Sequence, residues 1–359
     1  YEINGNYQFY NIFRDKNTNI HSQRQRKISY QQNVSRDIIK YKSKISLKSE
    51  IHNQLFSTEN KLIHSNKFHT GNVYRLFPIV SVELETPFKI KKNKDFTFNP
   101  FTQLVITPGS SNSNKISNED SSNNNFSLEN FKSLNRYSGT DKLDNSKRLN
   151  YGFTIKNDKI KFDLLQSYEF TKNSNFHLEQ GNNDYLSDLV GSISYENSNK
   201  LNYNFRYDSN DNILKEQNAN LAHKSGFGII ELSYLDLKSK NDDIITDDIE
   251  TFNYELISTK FMKFSKIKLS GLYNLKKNNN TEYKIGYSYF DECFGINLDF
   301  SRKSYKEENL KPQDVLTLMF SFKNIGSYKS SNLATSKYDI QDISWEENIT
   351  ENDQFTNYE

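Results

Sequence analysis

The feature that most constrains this chain is a period of two. Over residues 201–208, Leu201, Tyr203, Phe205 and Tyr207 alternate without a break with Asn202, Asn204, Arg206 and Asp208. Successive side chains of a β-strand point to opposite faces, so such a run describes a strand standing between two different solvents. The pattern returns over residues 283–289, 294–300 and 316–322. Only Phe290, Asp291, Glu292 and Cys293 separate the first two of these, a connection short enough for an antiparallel hairpin. Comparable pairs are predicted for 148–157 with 159–171, 185–196 with 199–209, 213–222 with 226–237 and 251–262 with 265–276. The connections alternate between short and long, and the strands run to about ten residues. Soluble sandwiches average about 5–6 per strand, whereas a membrane barrel needs about 9–11.

Composition fits an all-β, large antiparallel transmembrane β-barrel of roughly sixteen strands in this chain. Aromatic residues make up 14%, with 23 Tyr and 26 Phe, a mixture that favours strands. Mean hydropathy is −0.85. No apolar run approaches the ~20 residues of a membrane helix, which excludes a helical membrane protein but not a barrel. The 47 basic and 45 acidic residues are scattered, which argues against a nucleic-acid surface. The short run Arg24, Arg26, Lys27 reads as a solvated strand end. His64 and His69 lie close together but have no acidic or cysteine pattern around them, so no metal site is expected. Catalytic dyads and phosphate-cradling glycine loops are not visible, so neither an enzyme nor a cofactor is expected.

The first 110 residues are less regular, with strand character at 7–13, 45–55, 73–85 and 98–107, and with Pro78 and Pro87 marking edges or bulges. Residues 108–147 form a polar excursion, opening Pro108, Gly109, Ser110, Ser111, far longer than the ~2–6 residues usual for a connection. Residues 1–326 are therefore expected to be barrel and 327–359, which include Trp345, a mobile acidic tail. The sequence begins at Tyr1 without a leader, so the amino-terminal part and signal peptide are expected to lie outside it.

Several segments in order resemble one family. The run Pro78, Ile79, Val80, Ser81, Val82, Glu83, Leu84 before Pro87, then Asn99, Pro100, Phe101, Thr102, Gln103, Leu104, is similar to the mid-barrel stretch of the LPS-assembly outer-membrane proteins (LptD/OstA). Residues 118–121 and 134–141 resemble that family's long loop, and 148–152 its return into a strand. Residues 166–168, 187–191, 204–208, 291–294 and 320–326 continue the series in an alphaproteobacterial-like form. Each fragment is weak alone, and specificity lies in their order from about 70 to 326.

The resemblance implies an outer-membrane translocon component that inserts lipopolysaccharide (LPS) into the outer leaflet. Sugars would pass through a polar lumen and acyl chains beside the barrel, leaving by a lateral gate near residues 314–323. Alternation places Asn202, Asn204, Arg206, Asp208, Asn297 and Asp299 toward the lumen, and Tyr203, Phe205, Tyr287 and Phe300 toward lipid. These polar positions either contact sugar or merely solvate the wall. In the loop, Glu119, Asp120, Arg136 and Asp141 would pair inside the lumen or meet lipid A phosphates through Arg136; an ordinary exposed loop is the alternative. With Phe126, Phe131 and Tyr137, they suggest a loop that folds into the lumen or across its mouth. The family also implies a disulfide from Cys293 to the absent amino-terminal region, against which stands a buried, unpaired thiol. The implied partners are LPS, outer-membrane lipid, periplasmic bridge proteins through the missing domain, and a plug lipoprotein. Another barrel, such as a porin or uptake receptor, or a non-transporting surface β protein, would share the alternation.

Overall fold

The computed structural model describes residues 2–14, 23–64, 67–90, 96–107, 112–122, 125–173, 176, 180–182, 184–238, 248–262, 264–304, 312–322 and 326–329. Among them there is no α-helix, and the alternating sequence is realised as antiparallel strands. The chain divides into two compact units, Tyr1–Ser194 with Asn204–Glu216 and Ser239–Thr246, and Tyr195–Tyr203 with Gln217–Lys238 and Asp247–Glu359.

In the first unit, β1 (Glu2–Phe13), β2 (Arg24–Lys40), β3 (Ser43–His64), β4 (Lys67–Glu85), β5 (Phe88–Lys89), β6 (Thr97–Ile106), β7 (Lys147–Lys156), β8 (Ile160–Glu169) and β9 (Leu189–Glu196) follow one another. From β1 to β8 each long strand pairs with the next, β4 pairing with β6 across the small β5. Strand β2 had no counterpart among the sequence-based strands, because polar residues occupy both its faces near Gln31 and Asn33. Pro78 sits two residues before the β4–β6 ladder opens at Val80, where a missing donor is tolerated. The strand β10 (Asn199–Asp208) and β11 (Ile213–Ser225) are divided between the units.

In the second unit, β12 (Gly228–Leu237), β13 (Ile249–Met262), β14 (Ser265–Asn274), β15 (Asn279–Phe290), β16 (Phe294–Lys303), β17 (Gln313–Phe322) and β18 (Gly326–Lys329) form an antiparallel meander. Strand β18 pairs with β17 over Met319–Phe322, so hydrogen-bonded sheet continues a few residues past 326. The expectation for Trp345 and the rest of 330–359 lies outside the described residues.

The two faces of the first unit are the reverse of those of a water-soluble sheet. Register aligns Phe9, Ile28, Leu55 and Tyr74 in one row, and two residues on, Tyr7, Tyr30, Asn53 and Leu76 in the next. Tyr74 is 62% and Leu76 53% exposed, and Val80, Val82 and Leu84 follow on the same face of β4. The opposite face buries Gln23 just before β2, Gln25, Lys27 and Ser29 of β2, His52 and Gln54 of β3, and Arg75, Ser81 and Glu83 of β4. An apolar exterior over a polar interior is the arrangement that a hydrocarbon solvent selects. On β3 the outward apolar positions run from Ile45 to Leu55, about 33 Å of strand. That is enough for a hydrocarbon core about 30 Å thick.

This assignment of faces predicts that Val82→Arg, in the exposed band of β4, destabilises the refolded protein by about 2–4 kcal/mol. Arg26→Leu, at the border of the band, should change it by less than about 1 kcal/mol. Urea unfolding in lipid vesicles measures both, and equal effects would contradict the assignment.

Candidate functional site

Strands β6 and β7 are joined by residues 107–146, and in the first unit this long connection lies against the buried polar face of the sheet. Its polar anchor is a reciprocal clasp. The Asp120 carboxylate accepts from the backbone amides of Thr140 (3.1 Å) and Asp141 (2.7 Å), and the Asp141 carboxylate from those of Glu119 (2.8 Å) and Asp120 (3.1 Å). Each segment thus binds the other's peptide groups. Between the carboxylates sits Lys27, whose fully buried Nζ donates to Asp120 (3.0 Å), Asp141 (2.7 Å) and the Thr140 hydroxyl (2.6 Å). Lys27 is therefore not the solvated strand end that the basic run suggested. It alternates with the outward Arg26 and Ile28, and that parity was the signal available in the sequence.

Strand side chains hold the clasp from four directions. The Tyr10 hydroxyl on β1 donates to Asp141 (3.0 Å), and Gln25 on β2 exchanges two hydrogen bonds with the Ser117 peptide (2.8 and 2.7 Å). Gln54 on β3 donates to the Thr140 carbonyl (3.0 Å), and Arg75 on β4 to the carbonyls of Thr140 (2.6 Å) and Asp141 (2.8 Å). Arg14 pairs with Glu119. Gly139 adopts φ +79°, and a Cβ there would overlap the Asp120 carbonyl, so only glycine lets the two segments approach this closely.

A second anchor is a wholly buried quartet. Arg136 donates to Asp144 (2.6 Å) and to Glu169 on β8, and Arg148 on β7 donates to the same Asp144 oxygen (3.0 Å). Asn173 donates to the other Asp144 oxygen (2.8 Å). The Arg136 side chain is 1% exposed and lies over the Phe176 ring, on which Tyr137 stacks. Of the two roles open to Arg136, the geometry is the paired one. Two guanidinium groups and two carboxylates balance, which is the condition for burying them at all.

Burial alone would raise the Asp120 carboxyl, but the Ser121 hydroxyl, the Asp141 amide and Lys27 outweigh it and hold the group well below the usual carboxylate range. Burial would raise Asp144 too, and Arg136 and Arg148 reverse it downward. For Arg136 the burial penalty is overcome by Asp144 and Glu169, which raise it.

Apolar packing completes the docking. Phe126 and Phe131 of the connection pack with Phe101, Leu165 and Val190, and Leu143 with Phe77, Ile79 and Val105. The inner face is thus not uniformly polar, because these wall positions contact protein and not water. At the deepest point Lys132 pairs with Glu83 (2.7 Å) and Glu85 at the end of β4. From Arg75 to Glu85 the docked segment follows about 33 Å of strand.

The other sequence-derived positions are distributed elsewhere. Arg206 and Asp208 are buried in the first unit, where Arg206 meets Asp188 (3.2 Å) and Lys215 joins Asp208 (2.6 Å) to Asp188. Asn204, in the first unit, is half-buried; in the second unit Asn202 is exposed, Asn297 half-buried and Asp299 exposed. Cys293 is exposed in the β15–β16 turn, where the Asp291 carboxylate accepts from the amides of Cys293 (2.9 Å) and Phe294 (2.7 Å). Those bonds keep Asp291 below its ordinary value. The exposure removes the buried-thiol alternative. Among the described residues no group of His, Cys, Asp and Glu has metal-site geometry.

The family model of LptD, LPS transport system D, matches residues 1–279. The chain belongs to the LPS transport system D family. Membership places this all-β chain in the outer membrane of a Gram-negative envelope, as an outer-membrane barrel. No curated protein matches this chain in sequence. Among solved structures, the siderophore receptor PirA from Acinetobacter baumannii is similar at 10% identity and TM-score 0.40, over 85% of this chain and 57% of the receptor. A triple mutant of Rhodopseudomonas blastica porin gives 9% identity and TM-score 0.31, over 80% and 94%. The chain thus spans little more than half the length of the receptor.

Two outcomes are expected of the clasp and quartet. Arg136→Gln, which strands Asp144 and Glu169, should weaken docking by about 3–5 kcal/mol, seen as accelerated amide exchange across 117–144. The depressed Asp120 and Asp144 carboxyls contribute stability that is complete above the unfolded aspartate value of about 3.9. It is lost as pH falls from there through the lower folded values. Amide exchange in 117–121 and 139–144, corrected for its intrinsic pH dependence, should accordingly be flat from neutrality to about pH 5 and rise below about pH 4.

Proposed function

We propose that this chain forms part of a wall through which LPS reaches the outer leaflet, and that residues 107–146 are a built-in plug of its polar interior. What supports the reading is the docked connection itself. In a family that transports an amphiphile, a segment fixed along about 33 Å of the inner face occupies the space that a sugar chain would need. Its adhesion is concentrated in ion pairs and peptide clasps, which water or a polar substrate can replace, more than in a continuous apolar core. Asn202, Asn204, Arg206, Asp208, Asn297 and Asp299 face the aqueous route in this reading and solvate it. Acyl chains pass outside, across the exposed band of Tyr74, Leu76, Val80 and Val82. The lateral exit lies near β17 and β18, where among the described residues β18 pairs with β17 at its periplasmic end alone, over Met319–Phe322.

In this reading the region amino-terminal to the chain takes LPS from periplasmic bridge proteins, and a plug lipoprotein would share the interior with the docked connection. Short turns face the periplasm and long connections the cell exterior. Cys293, in the short turn after β15, then lies on the periplasmic side and forms a disulfide with that upstream region. Its role is alignment, since loop length predicts disulfide stabilisation poorly.

Replacing residues 112–144 by a short polar linker is expected to lower surface LPS and make cells sensitive to detergent, while the barrel still resists heat-free denaturation on gels. Unchanged LPS and detergent resistance would refute the plug. For the tether, non-reducing electrophoresis of the intact protein should show a mobility difference between wild type and Cys293→Ser that reductant abolishes. Identical mobilities, with Cys293 freely alkylated in the native protein, would rule it out.

A further inference from the structure

Two arginines of the basic run that opens β2 have no part in the plug. Along this strand Gln25, Lys27 and Ser29 are buried, and Arg24, Arg26 and Ile28 alternate with them, so both arginines share the outer face with Ile28. Register gives their depth. The outermost apolar row that is continuous across four strands is Phe9, Ile28, Leu55 and Tyr74, all exposed. Two residues further toward the long connections, the outward row is Asn11, Arg26, Ser57 and Asn72, and beyond it stand Phe13, Arg24 and Glu59. Within about 7 Å of strand, the outer face changes from hydrocarbon side chains to amides, a hydroxyl and a guanidinium.

Arg24 does not stay in its own row. Its Nε donates to Asn11 Oδ1 (3.1 Å), and Asn11 is the register partner of Arg26. The bond draws the Arg24 guanidinium back toward the membrane, to the row that already holds Arg26. It also turns Arg24 toward β1 and away from Glu59, which stands opposite it on β3. Among the described residues no carboxylate pairs with Arg24 or Arg26. Two guanidinium groups directed to one row repel, and an anion shared between them reverses the sign.

We propose that this patch on the outside of the wall is a docking site for one phosphorylated, acylated sugar of the outer leaflet, lipid A in an envelope of this kind. Arg24 and Arg26 take a phosphate through charge-assisted hydrogen bonds. Asn11, Ser57 and Asn72 meet sugar hydroxyls, and acyl chains lie along Phe9, Ile28, Leu55 and Tyr74. The zoning favours this occupant over a phospholipid, because three neutral hydrogen-bonding side chains level with the phosphate match a sugar ring better than a glycerol. The molecule held here is resident, outside the polar interior. The choice of leaflet rests on the orientation proposed above, in which the long connections face the exterior.

The intact protein is reconstituted in phosphatidylethanolamine nanodiscs doped in both leaflets with bisphosphorylated lipid A, and the lipid retained on extraction into mild detergent is counted by native mass spectrometry. Wild type should retain one lipid A. In parallel discs it should retain neither phosphatidylglycerol nor lipid A stripped of its phosphates. Arg24→Gln/Arg26→Gln should lower the retained fraction about tenfold, whereas Lys67→Gln/Lys172→Gln, at the same strand ends but outside the row, should leave it unchanged. No retention by wild type, equal retention of phosphatidylglycerol or of the dephosphorylated lipid, undiminished retention in the double Gln protein, or equal loss from the lysine pair would each overturn the proposal. If the double Gln protein fails to show heat-modifiable mobility, the two single variants are read in its place, and full retention in both would overturn it as well. Transport is not measured, the plug stays intact and both leaflets carry the probe, so this result is separate from the fate of the plug and of the orientation.

Discussion

The structure of the first unit depends on one constraint: a sheet whose outer face meets hydrocarbon must place its charges on the other face, and each charge buried there needs a partner. Lys27, Arg75, Arg148, Glu83 and Glu169 point into the interior from four different strands. Unpaired, each would be costly to desolvate. The connection after β6 supplies Asp120, Asp141, Asp144, Arg136 and Lys132, so that wall and connection satisfy one another. The folding of the loop is thus a consequence of the inversion of the sheet.

That complementarity is local and directional. Peptide carbonyls of Thr140 and Asp141 are read by Arg75 and Gln54, while side chains of the same loop segment are read by Lys27 and Tyr10. Aromatic packing around Phe131 adds area without direction. A segment held mainly by directional polar bonds docks in one position, yet its bonds can all be exchanged for those of water or sugar hydroxyls. This is a physical basis for a plug that is ordered at rest and displaceable by a polar cargo.

Much of the sheet was legible in the sequence. The hairpins at 148–171, 251–276 and 283–300 appear in the structure within a few residues of their expected bounds, because alternation along a two-solvent strand is a strong signal. The charged loop residues Glu119, Asp120, Arg136 and Asp141 were legible as candidates, but their partners were not. Lys27, Arg75 and Glu169 look like ordinary charged strand positions, and only the three-dimensional return of the loop closes sequence separations of 93, 66 and 33 residues. The apolar inner positions Phe77, Ile79, Phe101 and Val105 broke the polar-inside expectation for the same reason: alternation distinguishes two faces, and does not say that another segment of protein covers one of them.

The length of β3 carries a last consequence. Past Leu55 the outward face of β3 turns mostly polar, with Leu62 against Phe68 as an exposed apolar exception, yet the strand continues to His64, hydrogen-bonded to β4 through Lys61↔His69 and His64↔Lys67. About nine residues, or some 30 Å of strand, therefore stand beyond the hydrocarbon on the side of the long connections. On the proposed orientation the hairpin there would be a stiff fin instead of a fringe of loose loops. A polymer emerging next to such a fin is screened on one side, so its direction of departure is restricted before it ever meets its neighbours in the leaflet.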